Sequence, residues 1–209
     1  MAGEGLVWYV SYGSNMHAGR LACYLAGGTA PGTTVRCPGA RDPRPPRRGL
    51  GVWLAGGIYF ATHSQIWLGG RAFYDPDLPG RAAARAWLVS VSQFSDIAAQ
   101  EMHREPGGDL DLTDVLAHGR AQLGPGRYET LLRVGEIDGY PQLTFTAPWR
   151  AADVPATAPS AAYLRMLAAG LAAAHGWDTP TIADYLAARP GAAGNWATAA
   201  VAELLNPEC

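Results

Sequence analysis

The chain has 209 residues, of which 48% are hydrophobic, so it can bury a sizeable core, and no shift in its composition demands two domains. Its formal net charge of −2 argues against a general nucleic-acid binder, which would normally be basic. All 16 basic residues are arginines, which excludes a lysine Schiff base or a lysine-dependent phosphate-binding loop within this chain.

The cysteines and the apolar segments predict a reduced, cytoplasmic protein. Cys23, Cys37 and Cys209 match no zinc motif, and no charged segment precedes an apolar one at the N-terminus. The longest apolar run, near residues 161–174, is interrupted by Arg165 and is too short to span a membrane. The histidines show no metal-binding spacing, so we expect no metal ion.

The N-terminal segment predicts a buried strand over residues 6–12, followed by a helix over residues 15–25 that ends at Gly27-Gly28. Between them stands Tyr12-Gly13-Ser14-Asn15. A sharp turn from strand to helix presents unpaired backbone N–H groups, which favour a bound anion or a developing negative charge. Gly13 would allow a close approach and an unusual backbone angle. The alternative is structural: Asn15 caps the helix and Gly13 makes the turn.

The next segments are a loop and three strands. RDPRPPRR (41–48) predicts a solvated loop, with a phosphate-binding patch as the alternative. Strands are predicted at 51–60, 70–75 and 83–92, and a short helix is predicted to begin at Ser95 or Asp96.

Glu101 is the best candidate for an acid or base. Phe94, Ile97 and Glu101 fall on one face of this helix, so Glu101 faces the core if the two apolar residues do. A desolvated carboxylate there would be suited to moving protons. The alternative is a surface Glu101 that pairs with Arg104 in solvent.

The remaining segments predict an α+β fold. Residues 103–127 are polar and rich in proline and glycine, which indicates a long, partly ordered excursion. Strands at 128–136 and 140–146 are joined by an Asp138-Gly139 turn. The last third is helical: Ser160 is a predicted N-cap, Thr179-Pro180 predicts a second helix start, and a final helix covers 195–205. We interpret residues 1–209 as one domain of class α+β.

Three blocks, in order, resemble the γ-glutamylcyclotransferase superfamily. The YGSN loop of that family stands here as Tyr12-Gly13-Ser14-Asn15. "SQIWLGGRAFYDPDLPGRAAARAWLVSVSQFSDIAAQE" (64–101) is similar to the family's strands and the helix that bears its catalytic glutamate, and "APSAAYLRMLAAGLAAAHG" (158–176) is similar to a late family helix. The resemblance implies a small mixed β-barrel flanked by helices.

The same resemblance implies a lyase reaction without metal or cofactor, in which the substrate's α-amine attacks its own γ-carbonyl and 5-oxoproline is released. Glu101 would be the general acid/base, and Tyr12, Gly13, Ser14 and Asn15 would bind the substrate across a shared cavity. Tyr128 stands where the family places a pocket tyrosine, and the 103–127 segment is longer than in compact members. The partner is a small γ-glutamyl amine, amino acid or peptide; neither nucleic acid nor a membrane is expected, and a homodimer stays open.

Two alternatives to this lyase remain. The same chemistry could remove a γ-glutamyl protecting group from a natural-product intermediate. The fold could also serve a non-catalytic small-molecule binding protein, but a binder would not need a buried carboxylate at Glu101 and would be destabilised by it.

Overall fold

The computed structural model describes residues 5–206, which divide into two compact units. Unit 1 contains residues 5–11, 18–50 and 86–148, and unit 2 contains residues 12–17, 51–85 and 149–206. Each unit is therefore assembled from segments that are distant in the sequence. The interpretation of the whole chain as one domain stays a prediction.

Strands and helices are both present in this part of the chain, which confirms the α+β class. The strands are β1 (Leu6–Ser11), β2 (Gly28–Thr29), β3 (Arg36–Cys37), β4 (Arg48–Ala55), β5 (Gly57–Ser64), β6 (Gly69–Asp75), β7 (Arg81–Ser90), β8 (Arg120–Gln122), β9 (Thr130–Ile137) and β10 (Tyr140–Thr146). The α-helices are α1 (Ala18–Ala26), α2 (Val91–Glu101), α3 (Thr113–His118), α4 (Ala161–His175), α5 (Thr179–Ala187) and α6 (Thr198–Leu205). Short 3₁₀ helices cover Ser14–Met16 and Ala151–Asp153.

The main sheet has the strand order β4-β7-β1-β10-β9-β8. Strands β1, β8, β9 and β10 belong to unit 1, whereas β4 and β7 each have residues in both units. Strand β1 runs parallel to β10, whereas β9 is antiparallel to both β10 and β8, so the sheet is mixed. The resemblance implied a small barrel, but within residues 5–206 this order has two ends, β4 and β8. The strand pairs therefore form an open sheet, and the edge strand β8 is only three residues long.

Helix α2 packs the core of unit 1 and begins earlier than the sequence predicted. The hydroxyl of Ser90 accepts from the amide of Gln93, and the Gln93 side chain accepts from the Ser90 amide, which completes a capping box. The helix therefore starts at Val91 and not at Ser95 or Asp96. The error arose because the β-branched Val91 was included in the preceding strand.

The core of unit 1 contains an aromatic cluster between the sheet and α2. The rings of Tyr9 and Phe145 stack with centroids 5.3 Å apart, and Phe94 lies 6.0 Å from Tyr9. Phe94 and Ile97 are fully buried, as the periodicity of the helix predicted. This packing fixes the face of α2 from which Glu101 projects one helical turn later.

In unit 2, the predicted strand 51–60 is two strands, β4 and β5, separated by Gly56. The φ angle of Gly56 is +102°, and a Cβ atom there would lie 2.5 Å from the carbonyl oxygen of Asp75. Glycine is required at this break because any side chain would clash with backbone. Strands β5 and β6 then form an antiparallel pair.

The helices of unit 2 follow their capping signals. Ser160 caps α4, which ends at Gly176 in the left-handed conformation, as predicted. Helix α5 is capped by Asp178 and not by Thr179, because the Asp178 carboxylate accepts from the amide of Thr181. The final helix begins at Thr198, later than residue 195.

The 103–127 segment belongs to unit 1 and contains helix α3 and strand β8, so more of it is ordered than the sequence suggested. Strand β8 pairs with β9 and extends the main sheet. None of the helices within residues 5–206 is long and apolar enough to cross a membrane.

Candidate functional site

The YGSN loop in unit 2 is a tight 3₁₀ turn that follows the end of β1. The amide of Met16 donates to the Gly13 carbonyl and the amide of His17 donates to the Ser14 carbonyl, both at 3.1 Å. Gly13 is the residue before the turn, with φ −115° and ψ −150°. This is extended backbone, so the unusual angle that we expected at Gly13 is absent. Asn15 lies inside the turn, and the alternative in which it caps a helix is also wrong.

The predicted helix over residues 15–25 is interrupted at His17, which is extended (φ −75°, ψ 119°), and α1 begins only at Ala18. In a continuous helix, the Met16 carbonyl would accept from an amide four residues later. It accepts instead from Nη1 of Arg85 at 3.2 Å. The dipole of an α-helix therefore does not start at Asn15, which corrects that part of the sequence argument.

The residues of the YGSN loop differ in their exposure. Tyr12 and Asn15 are buried, whereas Gly13 and Ser14 are half-buried. Within residues 5–206, and apart from the chain neighbours of Gly13, a Cβ built on Gly13 would have one atom within 4 Å, the Tyr163 hydroxyl at 3.5 Å. Tyr163 Oη also accepts from the amide of Ala72 at 3.3 Å, which fixes it in place. A small ligand group could therefore reach the Gly13 backbone beside this hydroxyl.

Arg85 adds a positive charge next to the loop. Its side chain is partly buried, and this burial lowers the pKa of the guanidinium from its ordinary value. The group still remains charged at neutral pH, because arginine titrates far above that range. Sequence reasoning missed Arg85, although a charged residue between the apolar residues of a strand (AAARAWLV) was a visible signal.

Glu101, in unit 1, is half-buried at the last residue of α2. The Tyr24 hydroxyl, from α1, hydrogen-bonds to its carboxylate. Arg104, which the surface alternative paired with Glu101, forms an ion pair with Glu129 instead. The carboxylate is thus held by a neighbouring helix, and its partner is a side chain that the sequence analysis did not single out.

Tyr24 and Arg20 lie on the buried face of α1, with exposed fractions of 7% and 5%. The Arg20 guanidinium carbon is 5.7 Å from the centroid of the Tyr24 ring. Burial and then the charge of Glu101 raise the pKa of Tyr24 well above its ordinary value, and Arg20 opposes them. The sequence did contain a signal for this pair. The arginine stands four residues before the tyrosine, on the same helix face as Leu21 and Leu25.

Cys37 from β3 borders the same group. Burial raises the pKa of its thiol, and Arg20 opposes that effect. Cys37 also lines a cavity of about 380 Å³ with Arg36, Pro38 and Glu105, together with residues 26–28. Cys23 and Cys37 are free thiols, and Cys209 lies outside the described residues.

Tyr128 precedes β9 and is half-buried, with its ring 6.1 Å from that of Phe145 in an edge-to-face arrangement. The strand starts at Thr130, two residues after the predicted position. The Glu129 carboxylate fixes the turn by accepting from the amide of Gly126 at 2.6 Å. Tyr128 therefore projects from a well-held turn in unit 1.

Three arginines of the RDPRPPRR loop, Arg41, Arg44 and Arg48, form ion pairs within unit 1. Arg41 contacts the fully buried Asp96 at 3.0 Å and Asp109 at 2.6 Å, and Arg48 contacts Asp138 at 2.7 Å. These acids reduce the charge that a phosphate could use. Within residues 5–206, no group of three or more His, Cys, Asp or Glu side chains could hold a metal ion.

The predicted site residues are divided between the units. Residues 12–15 belong to unit 2, whereas Glu101 and Tyr128 belong to unit 1. That the loop and the glutamate share one cavity stays a prediction, as do their roles.

Comparisons with known proteins extend this picture at the level of the fold. The human uncharacterized protein loc79017 covers 90% of this chain and 90% of its own length, with 16% identity and a TM-score of 0.52. A solved chain called gamma-glutamyl cyclotransferase covers 96% of this chain and 98% of its own length, with 13% identity. Its TM-score of 0.49 is too low to bear on function. No family model matches the sequence.

Among curated proteins, histone deacetylase 5 of Arabidopsis thaliana is 28% identical over 183 residues. This match covers 79% of the chain, which spans only 28% of the length of that protein. The name of that much longer protein therefore does not extend to this chain. The likeness to loc79017 shows a shared fold alone, and membership of the γ-glutamylcyclotransferase superfamily stays a prediction.

Proposed function

We propose that the protein is a γ-glutamyl cyclotransferase-like lyase that releases 5-oxoproline from a γ-glutamyl amine, amino acid or peptide. The observation that carries this proposal is the environment of Glu101: a half-buried carboxylate, hydrogen-bonded to a buried tyrosine beside a buried arginine. Burial of such groups is costly for a fold, and it is common where a carboxylate must transfer protons.

In this reaction Glu101 takes a proton from the substrate's α-ammonium group. The freed amine attacks the γ-carbonyl carbon, so that one C–N bond forms within the substrate and the amide C–N bond breaks. Glu101 then gives this proton to the leaving amine. The attacking nitrogen loses a second proton as the lactam forms, and Glu101 transfers that proton to the same amine, which departs as an ammonium ion. Atoms and charges balance without water, metal or an enzyme nucleophile.

The YGSN loop would bind the negative end of the substrate. The first amides of a helical turn have no partner within the turn, and here they belong to the segment that contains Gly13 and Ser14. Arg85 and the Tyr163 hydroxyl, both beside this loop, add a charge and a donor suited to a carboxylate or an oxyanion. The mechanism requires the loop and Glu101 to act on one substrate molecule.

The test is incubation with a panel of γ-glutamyl amines, amino acids and peptides, with 5-oxoproline measured by mass spectrometry. An N-acetylated member of the panel is the decisive control, because its blocked α-amine cannot cyclise. We expect 5-oxoproline from at least one free-amine compound and no reaction of the acetylated one. Release of N-acetylglutamate would identify a hydrolase, and binding without any turnover would identify a binding protein.

A further inference from the structure

We propose that Arg41 is a positioning residue, which fixes one wall of the cavity of about 380 Å³ at the end of α1 and thereby selects the leaving groups that the lyase accepts. The selection rests on the proposed function, whereas the positioning concerns contacts within unit 1 alone. The wall belongs to residues 103–109, here called the strap, which begins two residues after Glu101.

The strap lies at the surface and has little packing of its own. All of its residues except Pro106 are exposed. Within residues 5–206, and apart from chain neighbours, a Cβ built on Gly107 or Gly108 would have no atom within 4 Å. A segment with few buried contacts opens easily. The position of the strap therefore depends on the groups that hold it.

Arg41 holds the far end of the strap against α2, as the amide of Arg104 does near its start by donating to the Ala99 carbonyl at 2.8 Å. Nη2 of Arg41 donates to the Asp109 carboxylate at 2.6 Å. Its backbone amide and Nε donate to the Asp96 carboxylate at 2.8 and 3.0 Å. Because Asp96 is fully buried in α2, one guanidinium joins a fixed carboxylate of the helix to a surface carboxylate of the strap.

Two further hydrogen bonds restrain the segments on either side of this link. The amide of Leu110, directly after the strap, donates to the buried Ser95 hydroxyl of α2 at 2.9 Å. The Gln93 side chain, also from α2, donates to the Arg44 carbonyl at 2.8 Å and so holds the loop that carries Arg41. Helix α2 is therefore the common support of the loop and of the far end of the strap.

The strap contributes Glu105 to the cavity, whose other lining residues belong to 26–28 and 36–38. Glu105 follows Glu101 by four residues, so the Cα atoms of the two glutamates are no more than about 14 Å apart. A leaving dipeptide extends about 7 Å from the bond that breaks, whereas methylamine ends at its first carbon. A large leaving group can therefore extend from Glu101 toward this wall, and a small one cannot.

The experiment uses Asp109→Asn, which deletes the charge at the exposed end of the link and leaves Arg41 bound to Asp96. It compares kcat/KM for two γ-glutamyl amides, one of methylamine and one of a dipeptide. We expect the value for the dipeptide amide to fall about two- to fivefold relative to that for the methylamide, the range that one exposed ion pair supplies. An equal loss for both amides would overturn the selection of leaving groups, because a merely structural role would affect both alike.

Two variants are matched controls. Asp138→Asn breaks the ion pair between Arg48 and Asp138 at 2.7 Å, which comes from the same arginine-rich loop but does not involve the strap, and it should leave the ratio unchanged. Asp109→Glu keeps the carboxylate and should retain the wild-type ratio. A changed ratio in Asp138→Asn, or in Asp109→Glu, would overturn the assignment to the link between Arg41 and Asp109.

Hydrogen exchange separates this inference from the proposed function, because it needs no substrate. Amides of residues 103–110 should exchange about two- to fivefold faster in Asp109→Asn and at the wild-type rate in Asp138→Asn. Unchanged exchange there, or an equal increase throughout unit 1, would overturn the positioning role of Arg41. If the wild type converts neither amide, the proposed function and the selection of leaving groups both fail, whereas faster exchange of the strap would still support the positioning role.

Discussion

Glu101→Gln should reduce the catalytic rate of the proposed site much more than it reduces the stability of the fold. The substitution keeps the size of the side chain, and the amide oxygen can still accept the hydrogen bond from the Tyr24 hydroxyl. Proton transfer is lost, which typically costs about 10²–10⁴-fold in rate. At about 1.4 kcal/mol for each tenfold change, this is about 3–5 kcal/mol of transition-state stabilisation.

The same change should affect the fold much less. A hydrogen bond to a charged group is worth about 1 kcal/mol more than one to a neutral group. For a chain of this size, a loss of about 1 kcal/mol lowers Tm by about 2–4 °C. The predicted loss of activity is therefore several times larger, in free energy, than the predicted loss of stability.

The assay measures 5-oxoproline release at several substrate concentrations, together with thermal unfolding. Glu136→Gln is the matched control, because Glu136 is exposed and forms a surface ion pair with Arg133 at 3.1 Å. We expect that control to retain activity and Tm. If Glu101→Gln forms product at a rate near that of the wild type, Glu101 is not the acid/base and the mechanism is refuted.

Three further predictions concern the loop, the excursion and pH. Gly13→Ala should fold, because its Cβ would lie 3.5 Å from the Tyr163 hydroxyl, whereas the bulkier Gly13→Val should abolish substrate binding. Ligand-induced thermal shifts measure binding by both variants. If Gly13→Val binds as well as the wild type, the substrate does not approach the backbone at Gly13. Shortening the 103–127 excursion while keeping β8 should change which γ-glutamyl compounds react, with 5-oxoproline still the product; an unchanged substrate profile would contradict this role. Burial lowers the pKa of His175, and the hydrogen bond with the Ala84 carbonyl opposes this effect. The stability of the fold should therefore decrease as pH drops below about 6.5, because the buried ring must then take up a proton. This loss should be smaller in His175→Gln, and equal pH profiles of Tm for the two proteins would argue against it.

The sequence predicted elements best where local chemistry determines them. The Asp138-Gly139 hairpin is as predicted, with φ angles of 52° and 78°, because few residues accept such angles and this pair does. Helix α4 follows its Ser160 cap and its terminal glycine in the same way. The start of α2 was not predicted, because Ser90 follows directly on apolar residues and its pattern is that of the strand. In the structure, the Gln93 side chain completes the capping box of Ser90, so the helix begins at the next residue.

The candidate site was predicted less completely, because its supporting residues come from distant parts of the chain. The periodicity of α2 was enough to single out Glu101, but the partner of its carboxylate is Tyr24, which is 77 residues away in the sequence. Local patterns cannot reveal such pairs when no motif marks the second residue. A buried arginine such as Arg20 is the stronger clue, since arginine is rarely placed on the apolar face of a helix without a structural or functional reason.

Anion binding at the YGSN loop stays a prediction, but its expected physical cause changes. The sequence argument assigned the positive field at the YGSN loop to the dipole of a helix that starts near Asn15, equivalent to about half an elementary charge. The structure replaces this helix with a 3₁₀ turn whose Met16 carbonyl is held by Arg85. A guanidinium carries a full charge, so at equal distance it attracts an anion about twice as strongly as a helix terminus. We therefore expect carboxylate binding at this loop to depend on Arg85 more than on any helix.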